Sequence, residues 1–99
     1  MKAYRGFESH PFRMIYVYIL KLNNDQLYTG FTKNLKTRIN EHQLGKVNST
    51  ANRRPLELIH YEAYPLESDA RRREKFLKGT EGKRLLRQQI RDFLLSFES

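Results

Sequence analysis

The sequence predicts an α+β domain: a small antiparallel three-stranded β-sheet flanked by α-helices. Three observations lead there. Two runs rich in β-branched and aromatic residues stand on either side of a polar turn cluster, and a third such run follows Pro55. Helical apolar spacing appears only after the first pair of runs, so strands are followed and interleaved by helices. The chain has 99 residues, 38% of them hydrophobic, which allows one modest core and leaves no material for a second domain.

Residues 1–13 stand apart. They contain Gly6 and Pro11, lack periodicity and precede a second methionine, Met14. The run from Arg5 to Pro11 resembles the translated 3′ arm of a transfer-RNA gene. The expectation is a disordered leader, a start-site artefact, before a single domain over 14–97. Ile15 to Leu22 has strand composition, Asn23 to Gln26 is a turn, and Leu27 to Thr32 resumes the strand pattern, giving a hairpin. Asn34 is placed to cap a helix carrying Leu35 and Ile39, and Gly45 stops it. Lys46 to Arg54 is a polar, basic loop. Leu56 to Tyr64 then alternates Leu56, Leu58 and His60 against Glu57, Ile59 and Tyr61 and ends at Pro65, a third strand covered on both sides. A helix opening at Glu67 or Ser68 has Leu66, Ala70 and Leu77 as its inward stripe. Gly79-Thr80 breaks it. Glu81 to Phe97 reads as one last helix with Leu85, Leu86, Ile90, Phe93, Leu94 and Phe97 apolar.

The charge balance narrows the partners. Lys and Arg number 19 against 11 Asp and Glu, a formal net charge of +8. Such a surplus favours a polyanion, because each neutralised phosphate releases condensed counterions. Cysteine is absent, which excludes disulfides and thiolate metal sites, and His10, His42 and His60 show no zinc-ligand spacing. No apolar run approaches the roughly 20 residues that cross a bilayer, and no signal-peptide pattern opens the chain. A cytoplasmic location and no membrane partner are expected.

Several residues stand out against this frame. Arg38 and His42 lie four apart on the first helix, beside the Leu35/Ile39 stripe, so they share a face at the helix–sheet boundary. They read either as a cleft pair or as a surface arginine with a partly buried histidine. Tyr18 and Tyr28 sit in paired strands, either as packing or as functional phenols. Gly30 marks a bulge or leaves room for a phosphate beside Tyr28. Glu74, in the run Arg71 to Lys75, is a solvated ion-pair partner or a carboxylate for a hard cation.

Their order and spacing carry more than any one of them. Tyr16-Val17-Tyr18, Tyr28-Thr29-Gly30, Asn34 to His42 as Asn-Leu-x-x-Arg-x-x-x-His, and Arg73-Glu74-Lys75 together resemble the GIY-YIG nuclease superfamily, in particular its small stand-alone bacterial members. The likeness spans Met14 to about Arg91. The chain departs from the pattern at Tyr16, Val17 and Thr29, where the family has glycine and isoleucines, and at Phe31, where some relatives have lysine. An asparagine used by several members near the last helix has no counterpart; Lys83 or Arg84 faces the same space.

The resemblance implies a divalent-metal-dependent endonuclease hydrolysing phosphodiester bonds in DNA. It makes Tyr18 and Tyr28 the paired motif tyrosines, Arg38 the contact to the scissile phosphate, His42 a helper in proton transfer or phosphate binding, and Glu74 the ligand of Mg²⁺ or Mn²⁺. For the base that takes the proton of the attacking water, Tyr28, Tyr18 and His42 all stand open. His42 is favoured by its ordinary pKa and Tyr28 by the family. Lys33, Lys36, Arg53, Arg54, Arg71, Arg72, Lys78, Lys83, Arg84 and Arg87 are the candidate grip on the nucleic-acid backbone. Without a helix-turn-helix or zinc module, low sequence specificity is expected. The alternative is a non-catalytic or weakly active nucleic-acid-binding domain needing a protein partner, for which Phe93, Leu94 and Phe97 offer an apolar contact.

Overall fold

A computed structural model of the protein describes residues 13–98; the expectation for the leader lies outside the described residues, save Arg13. The strands are β1 (Ile15–Lys21), β2 (Leu27–Thr32) and β3 (Glu57–Tyr64). They form one antiparallel sheet in the order β2-β1-β3. Helix α1 (Leu35–Gln43) follows the hairpin, and a 3₁₀ turn, Ala51–Arg53, precedes β3. Helices α2 (Glu67–Lys78), α3 (Thr80–Gln89) and α4 (Arg91–Leu95) close the chain with a final 3₁₀ turn, Ser96–Glu98. The α+β class and the three-stranded sheet predicted above are what is observed.

β1 is the central strand, and its alternation sorts the two layers. Ile15, Val17 and Ile19 face one way, joined by Leu27, and pack on Ala70, Leu77 and Leu86 of α2 and α3. Tyr18, Leu20 and Leu22 form the second cluster, packed against Tyr28, Leu35, Ile39, Leu56 and Leu58. Helix α1 therefore covers the tyrosine face and α2 with α3 the aliphatic face. Both faces of β1 leave water, which is why its burial runs nearly unbroken along the strand.

The caps follow local chemistry. The Asn34 side chain accepts from the Thr37 backbone N–H at 3.1 Å, and α1 ends where Gly45 takes a φ of 78°. Gly82 of α3 has a different reason to be glycine. A Cβ there would drive into the Phe76 carbonyl, so α3 sits backbone-close on the end of α2.

Three expectations need correction. The pairing of β1 with β3 shifts between Ile19 and Leu20, which face His60 and Leu58, so Ile59 is an extra residue. That bulge takes His60 off the face of Leu58 and sets it with Glu62. In α2 the stripe is Ala70 and Leu77; Leu66 precedes the helix and is 62% exposed. The position between the two is filled by Arg73, which bonds Glu62. Finally, the last helix is not continuous. Ile90, at φ −111° and ψ 30°, bends the chain between α3 and α4, and the turn brings Phe97 under the Lys21 ammonium at 4.8 Å. Leu86 is buried and Ile90 packs beside it, but Leu85, Phe93 and Phe97 are exposed, the last two ring against ring at 5.1 Å. Among the described residues no helix is long and apolar enough to cross a membrane.

Candidate active site

Tyr18 stands at the middle of the central strand, directly across from Gly30 on β2 and Tyr61 on β3. Its ring lies over Gly30: a Cβ on that glycine would fall inside the phenol. Gly30 therefore makes room for Tyr18 itself, which settles the choice between a bulge and a phosphate gap in favour of neither. The phenol is buried and its hydroxyl is 2.8 Å from His42 Nε2. His42 is fully buried, and its Nδ1 is 2.7 Å from the hydroxyl of Thr50, also fully buried. A neutral imidazole serves both contacts, one ring nitrogen donating and the other accepting.

Burial pushes the His42 pKa down, and the Arg38 charge pushes the same way. The imidazole is thus held neutral near pH 7, away from the titrating role its ordinary pKa suggested. Burial raises the Tyr18 phenol, against the pull of the nearby Arg38 guanidinium. Tyr28 completes an aromatic trio, its ring 5.3 Å from His42 and 6.4 Å from Tyr18. It is only partly buried, and its hydroxyl accepts a long bond of 3.3 Å from Ser49. Of the three candidate bases, Tyr28 alone meets solvent.

Arg38 leans from α1 towards the Tyr18 hydroxyl, whose proximity together with Glu41 raises the arginine pKa; Glu41 accepts from Nη1 at 3.0 Å. Glu74 arrives from α2. Its side chain is 19% exposed and paired with Lys78 at 3.1 Å, and its charge is felt at the Tyr18 phenol beside those of Tyr28 and Arg38. Four elements of the chain, β1, β2, α1 and α2, thus contribute two phenols, a guanidinium, an imidazole and a carboxylate to the surroundings of the Tyr18 hydroxyl. A half-buried carboxylate with a single cationic partner fits a hard ion that takes one or two carboxylates and keeps waters and phosphate oxygens. Among the described residues no three His, Cys, Asp or Glu side chains cluster as a caged metal site.

The predicted basic residues divide. Arg53, Lys78, Lys83 and Arg87 line one cleft with Tyr28, while Lys33 and Lys36 line a separate groove with Tyr16 and Tyr61. Arg54 is exposed and donates to the carbonyls of Ala51 and Gln43. Arg71 pairs with Glu67 and lies over Phe31 at 4.6 Å, Arg72 pairs with Asp69, and Arg84 with Glu81. Sequence reasoning missed Thr50, whose polar loop carries no periodic signal, and the Glu62–Arg73 pair. For the latter a signal existed: Arg73 falls three residues after Ala70 and four before Leu77, an arginine at helical spacing on the inward stripe.

The GIY-YIG catalytic domain model matches residues 14–88. A UPF0213 protein of Staphylococcus haemolyticus is 44% identical over 64 residues, 64% of this chain and 78% of that one. A UPF0213 protein of Clostridium perfringens is 41% identical over 66 residues, 66% and 71% of the two chains. The solution NMR structure of a UPF0213 protein from Bacillus halodurans superposes with a TM-score of 0.52 at 33% identity, covering 77% of this chain and 84% of the other.

Proposed function

We infer the function from the premise that this chain belongs to the GIY-YIG catalytic domain family: it is a divalent-metal-dependent endonuclease that hydrolyses phosphodiester bonds in DNA with little sequence preference. What supports the reading most is that the buried Tyr18 phenol feels Tyr28, Arg38 and Glu74 together. Residues 56 positions apart in the chain act on one phenol, and Arg38 and Glu74 are not among the apolar side chains that pack there.

Arg38 binds the scissile phosphate through its planar fork and stabilises the charge that builds on it in the transition state, a geometry lysine cannot copy. Tyr28, partly exposed to solvent, orients the attacking water and, in its phenolate form, takes the water's proton to return to the phenol. Tyr18 is locked by His42, and His42 by Thr50, so the phenol holds one direction while the reaction proceeds. Glu74 would hold Mg²⁺ or Mn²⁺, which as a Lewis acid offsets charge on the phosphoryl and leaving oxygens.

The test is nicking of single- and double-stranded DNA with Mg²⁺ or Mn²⁺. Arg38→Ala and Glu74→Ala are each expected to lose at least about a hundredfold in rate, the scale of one removed transition-state donor, while binding persists. Binding without cleavage by the wild type would instead identify a nucleic-acid-binding module.

A further inference from the structure

Beside the candidate active site runs a second feature that catalysis at one phosphate does not use. A cleft of about 530 Å³ opens along β2, the edge strand of the sheet, between the 3₁₀ turn and the α2–α3 junction. Four cations reach it from three elements: Arg53, Lys78, Lys83 and Arg87. No carboxylate lines it. Lys83 and Arg87 sit one turn apart on α3 and make no ion pair among the described residues. Among the described residues the Arg53 guanidinium donates to the neutral Gln26 side chain, at 3.1 Å, and to no carboxylate. Every other arginine of α2 and α3 has a carboxylate partner. Of the four, Lys78 is paired with Glu74; the three cations without a carboxylate partner, drawn to one concavity, repel one another, and an anion lying among them relieves that repulsion.

A second observation points the same way. Thr29 lines this cleft, is 5% exposed, and its hydroxyl has no hydrogen-bond partner among the described residues. A buried hydroxyl without a partner costs about 1–3 kcal/mol, a cost that the wall of this cleft carries. The cleft is also continuous with the candidate active site. Tyr28 belongs to both, and Lys78 reaches from the cleft to Glu74.

We propose that this cleft is a second phosphate site, seating a backbone phosphate of the same nucleic-acid strand at a distance from the one being cut. The inference rests on the nuclease reading for the identity of the strand. Its volume lies within the range of about 300–1,000 Å³ that holds small ligands, enough for a phosphate with its flanking sugar. The site fixes the strand's direction across the sheet edge, so that Tyr28 meets the scissile bond from one side only.

The experiment is binding of fluorescein-labelled 20-nucleotide single strands and duplexes, followed by anisotropy in EDTA over a potassium chloride series. EDTA removes cleavage, so the result is independent of whether the protein is a nuclease. Lys83→Ala/Arg87→Ala is expected to flatten the slope of log K against log salt by about 0.9 on duplex or about 0.7 on single strands, one phosphate contact's worth. Lys75→Ala/Arg91→Ala removes the same charge away from the cleft and is expected to leave the slope as in wild type. Equal slopes in all three proteins, or equal losses in both variants, would overturn the proposal. So would wild-type binding that demands a 5′-terminal phosphate, or polyglutamate competing as well as the oligonucleotide. Absence of nicking by wild type, with these slopes as expected, would remove the nuclease reading and leave the phosphate site standing.

Discussion

Tyr18 shows how closely packing and chemistry are joined at single residues. The phenol is aimed by His42, which is aimed by Thr50, and all three are buried. Its ring needs the empty space over Gly30. Gly30→Ala is expected to cost about 1–3 kcal/mol, as overpacking does, read as a lower urea midpoint. Because the added methyl displaces the phenol, nicking at saturating DNA is expected to fall well beyond what the lost stability explains. A variant as stable and as active as wild type would mean the ring does not lie where the structure has it. Arg54 carries the opposite lesson. A basic residue in a basic loop was expected to contact phosphate, and its guanidinium also ties the end of α1 to the 3₁₀ turn through two carbonyls.

At the scale of elements, β3 and α2 are clamped by Glu62 and Arg73. Arg73 donates to both carboxylate oxygens, at 2.8 and 3.1 Å, while Tyr64 donates at 2.6 Å and His60 approaches to 2.9 Å. Burial alone would raise the Glu62 carboxyl, but donation from Arg73, Tyr64 and His60 overrides it and holds the pKa at about 2 against an ordinary 4.5. The clamp matters to the site because Glu74 is the next residue along α2. With the folded pKa below the unfolded one, this stabilisation is complete above pH 4.5 and is lost as pH falls towards 2, about 3 kcal/mol in all. Glu62→Gln is therefore expected to be less stable than wild type by about that amount at pH 7. The gap narrows in urea titrations carried down through pH 4.5, since protonated wild type comes to resemble the variant. A gap independent of pH would show that the carboxylate charge is not what clamps the helix.

For the whole molecule, the core and the candidate metal ligand are separate. The two hydrophobic clusters lie on either side of the sheet, and neither contains Glu74. Metal withdrawal is accordingly expected to stop nicking while leaving the melting temperature within about 2 °C, as seen by circular dichroism with and without EDTA. A large drop would make the ion part of the fold, as in small metal-nucleated domains. The net charge of +8 sets the other whole-molecule property, attraction to a polyanion that weakens with salt.

Local chemistry made much of this legible before any coordinates. The hairpin, the Asn34 cap and the Gly45 stop depend on neighbours within a few residues, so the chain states them directly. The spacing of Tyr18, Tyr28, Arg38, His42 and Glu74 identified the family in the same way. Only the tertiary structure decided the bulge at Ile59, the exposure of Leu66, the bend at Ile90 and the burial of His42 between Tyr18 and Thr50. Each of these depends on what lies across the sheet or on the next helix. A side chain's sequence neighbours carry no record of that, because burial, and with it protonation, is a property of the packed surroundings.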